Sequence, residues 1–244
     1  MTRTNDTRYL LQEKYSDKKS LGFYADLIKL RFGYPLAYIL GWQPFLELKI
    51  DLKYKPLIPR PETEYWLQEY VLNDNLRPAI KVLDIFAGSG CMGLAFAKRF
   101  PNSTVTLADV NAKFIKQIQK NAEINEVPNI KIVKSNVFQN IKDKFDIILA
   151  NPPYIALNGK TSFAPSLIYE NKRSLFAKKH GLFFIEKLIF EAQDFLNSKG
   201  SMFIEFDPWQ KHRIEQLILN SRKWDSYKFL KDQYGFDRVV KLCK

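Results

Sequence analysis

The chain has 244 residues, with 38 Lys or Arg against 26 Asp or Glu, a formal net charge of +12, and 46% hydrophobic residues. This composition excludes intrinsic disorder, collagen and small disulfide scaffolds. The length suits one α/β domain with an appendage, or two small domains. The two cysteines and two histidines are isolated in the sequence, so it predicts no metal site.

Neither a membrane helix nor a signal peptide is predicted, because no apolar run has the required length or position. We therefore expect a soluble, cytoplasmic protein, with an organellar setting left open. The positive charge indicates either a nucleic-acid or ribosomal partner or a lysine-rich proteome. The lysines are scattered, so both interpretations stay open.

The N-terminal part shows helical periodicity over residues 5–32, which predicts two short helices. Alternation from Phe45 to Leu52 then predicts a β-hairpin. Pro61 suits the first turn of a helix that runs to about residue 73. We expect residues 1–55 to form a helical segment plus hairpin, used for substrate docking, and residues 56–244 to form a second domain.

From residue 79 onward, β-rich runs alternate with helical stretches, which is typical of βαβ units. The predicted strands are 80–86, 104–108, 130–134, 145–150, 200–206, 226–231 and 237–242, and the predicted helices are 91–99, 111–125, 181–197 and 209–221. The link between the last two strands is too short for a parallel crossover. The expected fold class is therefore α/β, with a Rossmann-like seven-stranded sheet whose last strand is antiparallel.

A glycine-rich loop, Ala87-Gly88-Ser89-Gly90, follows the first strand of this sheet. Its glycines leave the backbone open to a ligand, and with Gly93 they match G-x-G-x-x-G. This pattern alone fits a dinucleotide and S-adenosylmethionine equally well.

Two carboxylates accompany the loop. Asp109 ends the second strand 109 − 90 = 19 residues after Gly90, where it can accept hydrogen bonds from both ribose hydroxyls of an adenosine-type cofactor. Its alternative role is a helix N-cap. Asp84, within the first strand, either holds loop amides or positions the amino group of the cofactor.

The tetrad Asn151-Pro152-Pro153-Tyr154 follows the fourth strand, at the sheet edge where ligands bind. The prolines have no N–H, so carbonyl oxygens and the Asn151 side chain form a group of acceptors beside an aromatic face. Such acceptors match a planar NH2 group, which they can orient toward an electrophile without a separate base. The alternative is a proline-rich turn with no chemical role.

Together, the loop, Asp109 and the tetrad resemble a class I S-adenosylmethionine-dependent methyltransferase that acts on a planar nitrogen. The segments 34–41 and 57–64 narrow the resemblance to the HemK/PrmC-type peptide chain release factor glutamine N5-methyltransferases. Further residues that agree are Gly181, Leu182, Glu205, Gln210, Asp232, Gly235 and 237–240. The resemblance covers about residues 29–242.

This resemblance implies methyl transfer from S-adenosylmethionine to the glutamine amide of the Gly-Gly-Gln motif in a class 1 release factor. The implied cofactor residues are Ala87, Gly88, Ser89, Gly90, Asp109, Asn136, Val137, Asn151 and Thr63, and the implied catalytic residues are Asn151, Pro152, Pro153 and Tyr154. The segment 59–64 would cover the site. The expected partner is the release factor, bound by a monomer without a membrane or a stable nucleic-acid partner.

Three other functions compete with this one. A nucleic-acid methyltransferase acting on adenine N6 or guanine N2 would use the same tetrad and the positive charge. An NAD-dependent oxidoreductase would use the glycine pattern but leave the tetrad unexplained. A binding module without activity would account for the short N-terminal segment, yet the tetrad and both loop glycines are intact.

Overall fold

The N-terminal helices form a small unit of their own. The structure, a computed structural model, describes residues 3–74, 79–156 and 165–244. Helices α1 (Arg3–Tyr15), α2 (Leu21–Arg31) and α3 (Leu36–Leu40) meet around a core of Leu10, Phe23 and Ile39. The first two helices confirm the prediction. Helix α3 was not predicted, because its five residues are too few to display a helical period.

The hairpin packs on the larger part of the molecule. Strands β1 (Trp42–Phe45) and β2 (Leu48–Asp51) pair antiparallel, as predicted. Phe45 and Ile50 are fully buried in a core that they share with the main sheet. The division of the chain at residue 55 stays a prediction.

The remaining elements alternate between helices and strands. They are α4 (Pro61–Leu67), β3 (Lys81–Ile85), α5 (Cys91–Arg99), β4 (Thr104–Asp109), α6 (Ala112–Ile124), β5 (Ile130–Lys134), β6 (Phe145–Ala150), β7 (Ile155–Ala156), α7 (Lys172–Leu175), β8 (Phe176–Ala177), α8 (Phe183–Glu191), β9 (Leu196–Glu205), α9 (Lys211–Ser221), β10 (Ser226–Lys231) and β11 (Asp237–Cys243). A π-helical turn, Gln68–Leu72, extends α4. Short 3-10 turns span Pro165–Tyr169, Ala192–Phe195 and Pro208–Gln210.

Seven strands form the main sheet in the order β10-β11-β9-β6-β3-β4-β5. Strand β11 runs antiparallel to both neighbours, and the pairs from β9 to β5 are parallel. The predicted fold class is confirmed. Because the chain leaves β3 toward β4 on one side and returns as β6 on the other, a ligand crevice is expected at their carboxyl ends.

Two cores cover the two faces of the sheet. Alternate residues of a strand point to opposite faces, so Val82 and Leu149 belong to one core and Leu83 and Ile148 to the other. The hairpin and α4 to α6 cover the first face, and α8 and α9 cover the second. The sheet is thereby a rigid base for the loops at its carboxyl edge.

The predicted helix over 181–197 was wrong at its end. Helix α8 ends at Glu191, and β9 begins at Leu196, which is fully buried and pairs with Phe145. The register shifts before Ser201 pairs with Ile147, so β9 starts with an irregular stretch. The apolar run before it continues the helical period, which is why periodicity alone misplaces this boundary. Strands β7 and β8, of two residues each, were also not predicted.

Candidate active site

A cavity of about 530 Å³ opens at the carboxyl ends of β3, β4, β5 and β6. The predicted site residues that line it are Gly88, Asp109, Asn136, Val137, Asn151 and Pro153. The remaining ones, Ala87, Ser89, Gly90, Thr63, Pro152 and Tyr154, are not among its lining residues. The fold thus brings the glycine loop, the acid after the second sheet strand and the tetrad to one cleft.

Asp84 lies beneath the glycine loop and is fully buried. Its Oδ2 accepts a hydrogen bond of 2.8 Å from the Gly93 amide, so it does hold a main-chain amide. Its Oδ1 has no hydrogen-bond partner among the described residues. Burial raises the pKa of Asp84 to about 7, against the lowering effect of the Gly93 amide. Gly93 itself lets α5 approach β4, because a Cβ there would lie 2.8 Å from Leu107.

Asp109 is at the rim of the cleft and binds the loop from the side. Its Oδ2 accepts from the Gly88 amide at 2.9 Å and its Oδ1 from the Asn111 amide at 2.8 Å. Burial raises the pKa of Asp109, and these amides oppose that shift. The N-cap of α6 is Asn111, whose side chain accepts from Lys113, so Asp109 is not the cap. Each carboxylate oxygen has acceptor capacity left for a ligand.

The tetrad is braced from behind by side chains. The Asn151 Nδ2 lies 3.2 Å from the Thr63 Oγ1, and Thr63 is buried. Glu205, at the end of β9, accepts hydrogen bonds of 2.7 Å from Thr63 and from the Trp66 indole, and one of 3.1 Å from the Tyr154 hydroxyl. Burial raises the pKa of Glu205, and these donors oppose the shift.

The main chain of the tetrad is held as well. Gln210 donates from Nε2 to the carbonyl oxygens of Tyr154 and His180, at 3.0 and 3.2 Å. A Cβ on Gly181 would lie 1.9 Å from the Tyr154 oxygen. Sequence reasoning gave Glu205 and Gln210 no role. Their partners are distant in the chain, so no local pattern could have indicated these contacts.

A second wall of the cleft was missed entirely. It is formed by Asn171, Lys172, Arg173 and Ser174, and a set of apolar side chains lines the same cavity. Those apolar residues are Leu57, Ile85, Phe86, Val110, Phe114 and Phe184. Phe86 has a φ of 64°, a conformation that nothing in its identity predicts.

The loop that leads into α4 is fixed near this second wall. Arg60 forms an ion pair of 2.5 Å with Glu170, and the Ile58 amide donates to the same carboxylate at 3.2 Å. The Tyr38 hydroxyl donates to the Pro56 carbonyl at 2.6 Å. The segment 59–64, which was predicted to cover the site, is therefore held by Arg60, and the residues just before it are held by Tyr38 and Glu170.

The residues that line the cleft fit an adenosyl group. Phe86, Val110 and Phe114 offer apolar surface for a flat base, and Asp109 offers acceptors for a ribose diol.

Over residues 3–74, 79–156 and 165–244, no cluster of three His, Cys, Asp or Glu side chains could hold a metal ion. Within the same residues, every helix is too short or too polar to cross a bilayer.

The chain is similar to known methyltransferases. Residues 69–185 match the family model "Methyltransferase small domain". Release factor glutamine methyltransferases from Lactococcus lactis and Francisella tularensis are 33% and 36% identical to it. Each alignment covers 96% of this chain, with 86% of the first relative and 83% of the second.

Among solved structures, a methyltransferase from Pyrococcus furiosus shares the fold. Its TM-score is 0.62 at 21% identity, and the match covers 90% of this chain and 98% of that one. The sequence relatives are similar enough, over enough of their length, to fix the family. The chain is a methyltransferase that belongs to the release factor glutamine methyltransferase family.

Proposed function

We propose that this protein transfers a methyl group from S-adenosylmethionine to the side-chain amide nitrogen of the glutamine in the Gly-Gly-Gln motif of a class 1 release factor. One observation carries the proposal. Asn151 and Pro153 line the same cavity as Gly88 and Asp109, so acceptors for an amide and acceptors for a ribose face one space. The names of the sequence relatives favour glutamine over a nucleobase as the target.

The cofactor half of the cleft would use Asp109 to accept from the ribose hydroxyls, with Asn136 and Val137 beside the adenine. Gly88 would contact the cofactor from below, and Ala87, Ser89 and Gly90 would support it through the conformation of the loop. When bound, S-adenosylmethionine supplies an electrophilic methyl group on a sulfonium. The apolar side chains of the cleft exclude water from that region.

The tetrad would orient the glutamine amide. The Asn151 side-chain oxygen and neighbouring carbonyls accept its two N–H bonds, which directs the nitrogen lone pair toward the cofactor half. Pro152 and Pro153 have no N–H, so neither residue can donate to these acceptors in place of the substrate. The acceptors strengthen as positive charge develops on the nitrogen, and the released proton passes to solvent. Orientation of this kind can contribute about 7–11 kcal/mol in the best cases.

The partner would be the release factor, docking with the help of residues 1–55 on a monomeric enzyme. The setting would be the compartment where release factors act, which is the cytoplasm or an organelle. Three positive side chains at the cleft, Lys113, Lys172 and Arg173, give its rim a basic character.

Radiolabelled S-adenosylmethionine, incubated with the protein, tests the proposal. We expect label on a release factor, none on the Gly-Gly-Ala variant of that factor, and none on duplex DNA or RNA. Mass spectrometry should locate one added methyl on the Gly-Gly-Gln peptide. Label on nucleic acid alone would instead support the base methyltransferase.

A further inference from the structure

Behind the tetrad, four side chains form a chain of hydrogen bonds with a fixed direction. The Trp66 indole and the Thr63 hydroxyl both approach the Glu205 Oε2, each at 2.7 Å. The Asn151 Nδ2 approaches the other side of the same Thr63 oxygen, at 3.2 Å. Trp66 and Thr63 are 0% and 2% exposed, and Glu205 is 1% exposed, so water does not replace these contacts.

The donor-to-acceptor direction of these hydrogen bonds is set first by Trp66. An indole N–H can only donate, so the Glu205 Oε2 must act as an acceptor. The direction holds for ionised Glu205 and for Glu205 with its proton on Oε1, since either form leaves Oε2 without a proton to donate to Thr63. Oε1 faces the Tyr154 hydroxyl at 3.1 Å, which can accept as well as donate.

The direction continues through Thr63. A hydroxyl has one proton, and Thr63 directs it to Glu205, so only lone pairs remain for Asn151. The Asn151 amide must then present its NH2 group to Thr63. Its oxygen is the atom left for the cleft. The opposite rotation of the amide would bring two acceptors together and leave a buried hydroxyl oxygen without a donor.

We propose that Trp66, Glu205 and Thr63 are positioning residues that lock the Asn151 amide with its oxygen toward the substrate, and that this lock selects a glutamine amide over a glutamate carboxylate. The inference rests on the proposed function and deepens it. A site whose polar atoms all accept rewards an NH2 group, which donates twice. A carboxylate held at the tetrad would face the Asn151 oxygen and the neighbouring carbonyl oxygens, which offer it no proton.

Thr63→Val is the central test, since valine keeps the shape of threonine and removes the hydroxyl. Thr63→Ser is the matched control, because it keeps the hydroxyl and removes the methyl group. With a release factor as substrate, we expect kcat/KM to fall about 10- to 100-fold in Thr63→Val and less than about 3-fold in Thr63→Ser. Because Thr63 is buried and is not among the residues that line the cavity, and so does not take the cofactor role that the resemblance implied, the Kd for S-adenosylmethionine, measured by calorimetry, should stay the same in both.

The discriminating readout uses a Gly-Gly-Glu release factor as a competitive inhibitor. The wild-type enzyme should bind it at least about 100-fold more weakly than the Gly-Gly-Gln factor. Thr63→Val frees the Asn151 amide to turn its NH2 group toward the carboxylate. The ratio of the dissociation constant of the Gly-Gly-Glu factor to that of the Gly-Gly-Gln factor should therefore fall about 10-fold. A merely structural contribution of Thr63 would weaken both factors equally and leave the ratio unchanged.

Trp66→Phe provides a second route to the same conclusion. It removes the obligatory donor and keeps the ring that stacks on Phe203. In Trp66→Phe, we expect the ratio of the Gly-Gly-Glu to the Gly-Gly-Gln dissociation constant to fall by less than it does in Thr63→Val. An unchanged ratio in Thr63→Val, or equal losses in the valine and serine variants, would overturn the lock. Failure of the wild-type enzyme to methylate the release factor at all would refute the proposed function instead, so the two failures are distinct.

Discussion

The two halves of the cleft are built in different ways. The glycine loop and Asp109 belong to one β3-α5-β4 unit, and Asp109 holds the loop through the main-chain amide of Gly88. The tetrad half depends on side chains from remote segments, since Thr63 and Glu205 are 142 residues apart and Asn151 and Thr63 are 88 apart. The loop half is therefore stabilised by contacts within one short part of the chain. The positions of the side chains in the tetrad half depend on the packing of the whole domain.

The substitution with the largest expected effect on activity is Asn151→Ala, which changes the tetrad half alone. Asn151→Ala removes the side-chain acceptor, and we expect a fall in kcat of about 10²- to 10³-fold, as when other enzymes lose one side chain that stabilises transition-state charge. Binding of S-adenosylmethionine, measured by calorimetry, should change little because the loop half is intact. Asn220→Ala, which alters an exposed asparagine of α9 outside the cleft lining, is the control and should retain most activity. Near-normal kcat in Asn151→Ala would refute the role of this side chain.

Gly181→Ala tests the packing behind the tetrad. The new Cβ would lie 1.9 Å from the Tyr154 carbonyl oxygen, so the tetrad or the start of α8 must move. We expect a loss of about 3 kcal/mol in the free energy of unfolding, with reduced kcat.

Gly235→Ala is the matched control for this clash. Gly181 and Gly235 share a φ of 83°, but a Cβ on Gly235 would meet nothing within 4 Å. It should cost only the conformational strain, about 1 kcal/mol, in a urea titration. Equal losses in the two variants would show that backbone strain, and not contact with the tetrad, governs Gly181.

Asp109→Ala should affect the loop half alone. Loss of two charge-assisted hydrogen bonds would weaken binding of S-adenosylmethionine by about 1–3 kcal/mol. At saturating cofactor, kcat should stay close to that of the wild type. Isothermal calorimetry and steady-state kinetics together measure both quantities. An unchanged cofactor Kd would leave Asp109 with a purely structural function at the loop.

The substitution with the smallest expected effect on activity lies outside both halves, in the N-terminal helices. Burial would raise the pKa of Asp26, but hydrogen bonds from Lys14, Lys29 and Tyr15 outweigh it and lower the pKa to about 2. The contribution of Asp26 to stability is thus complete above its ordinary pKa of 3.8 and is lost as pH falls toward 2. It amounts to at most about 2 kcal/mol.

Urea titrations of the wild type and Asp26→Asn at several pH values measure this contribution. The difference in free energy of unfolding between them should be constant near neutrality and should vanish between about pH 4 and pH 2. Kinetic constants should be the same for both proteins at neutral pH. A difference that is independent of pH would mean that Asp26 acts through packing and not through its charge.

Much of the fold could be predicted because its signals are local. The strand predicted over 80–86 is β3 at Lys81–Ile85, and the short link after residue 231 correctly predicted an antiparallel last strand. The rule that ligands bind at the carboxyl edge of such sheets predicts that Asp109 and Asn151 share one cleft. Each of these inferences depends on residues that are close together in the chain.

What could not be predicted depends on contacts between distant residues. The sequence shows Thr63 in the first turn of a predicted helix and Glu205 at the end of a predicted strand, and neither segment indicates that the two side chains are in contact. The wall at Asn171–Ser174 likewise reaches the cleft only through the packing of the folded chain. The unusual φ of Phe86 is imposed by its surroundings and not by its side chain.

The ion pair between Arg60 and Glu170 has a consequence for how this enzyme can diverge. The Glu170 side chain is 0% exposed, so replacing Arg60 alone would strand a negative charge in the interior. Replacing Glu170 alone would deprive the Ile58 amide of its acceptor. The two positions are therefore expected to change together or not at all during evolution, and homologues that lose one partner should carry a neutral residue at the other.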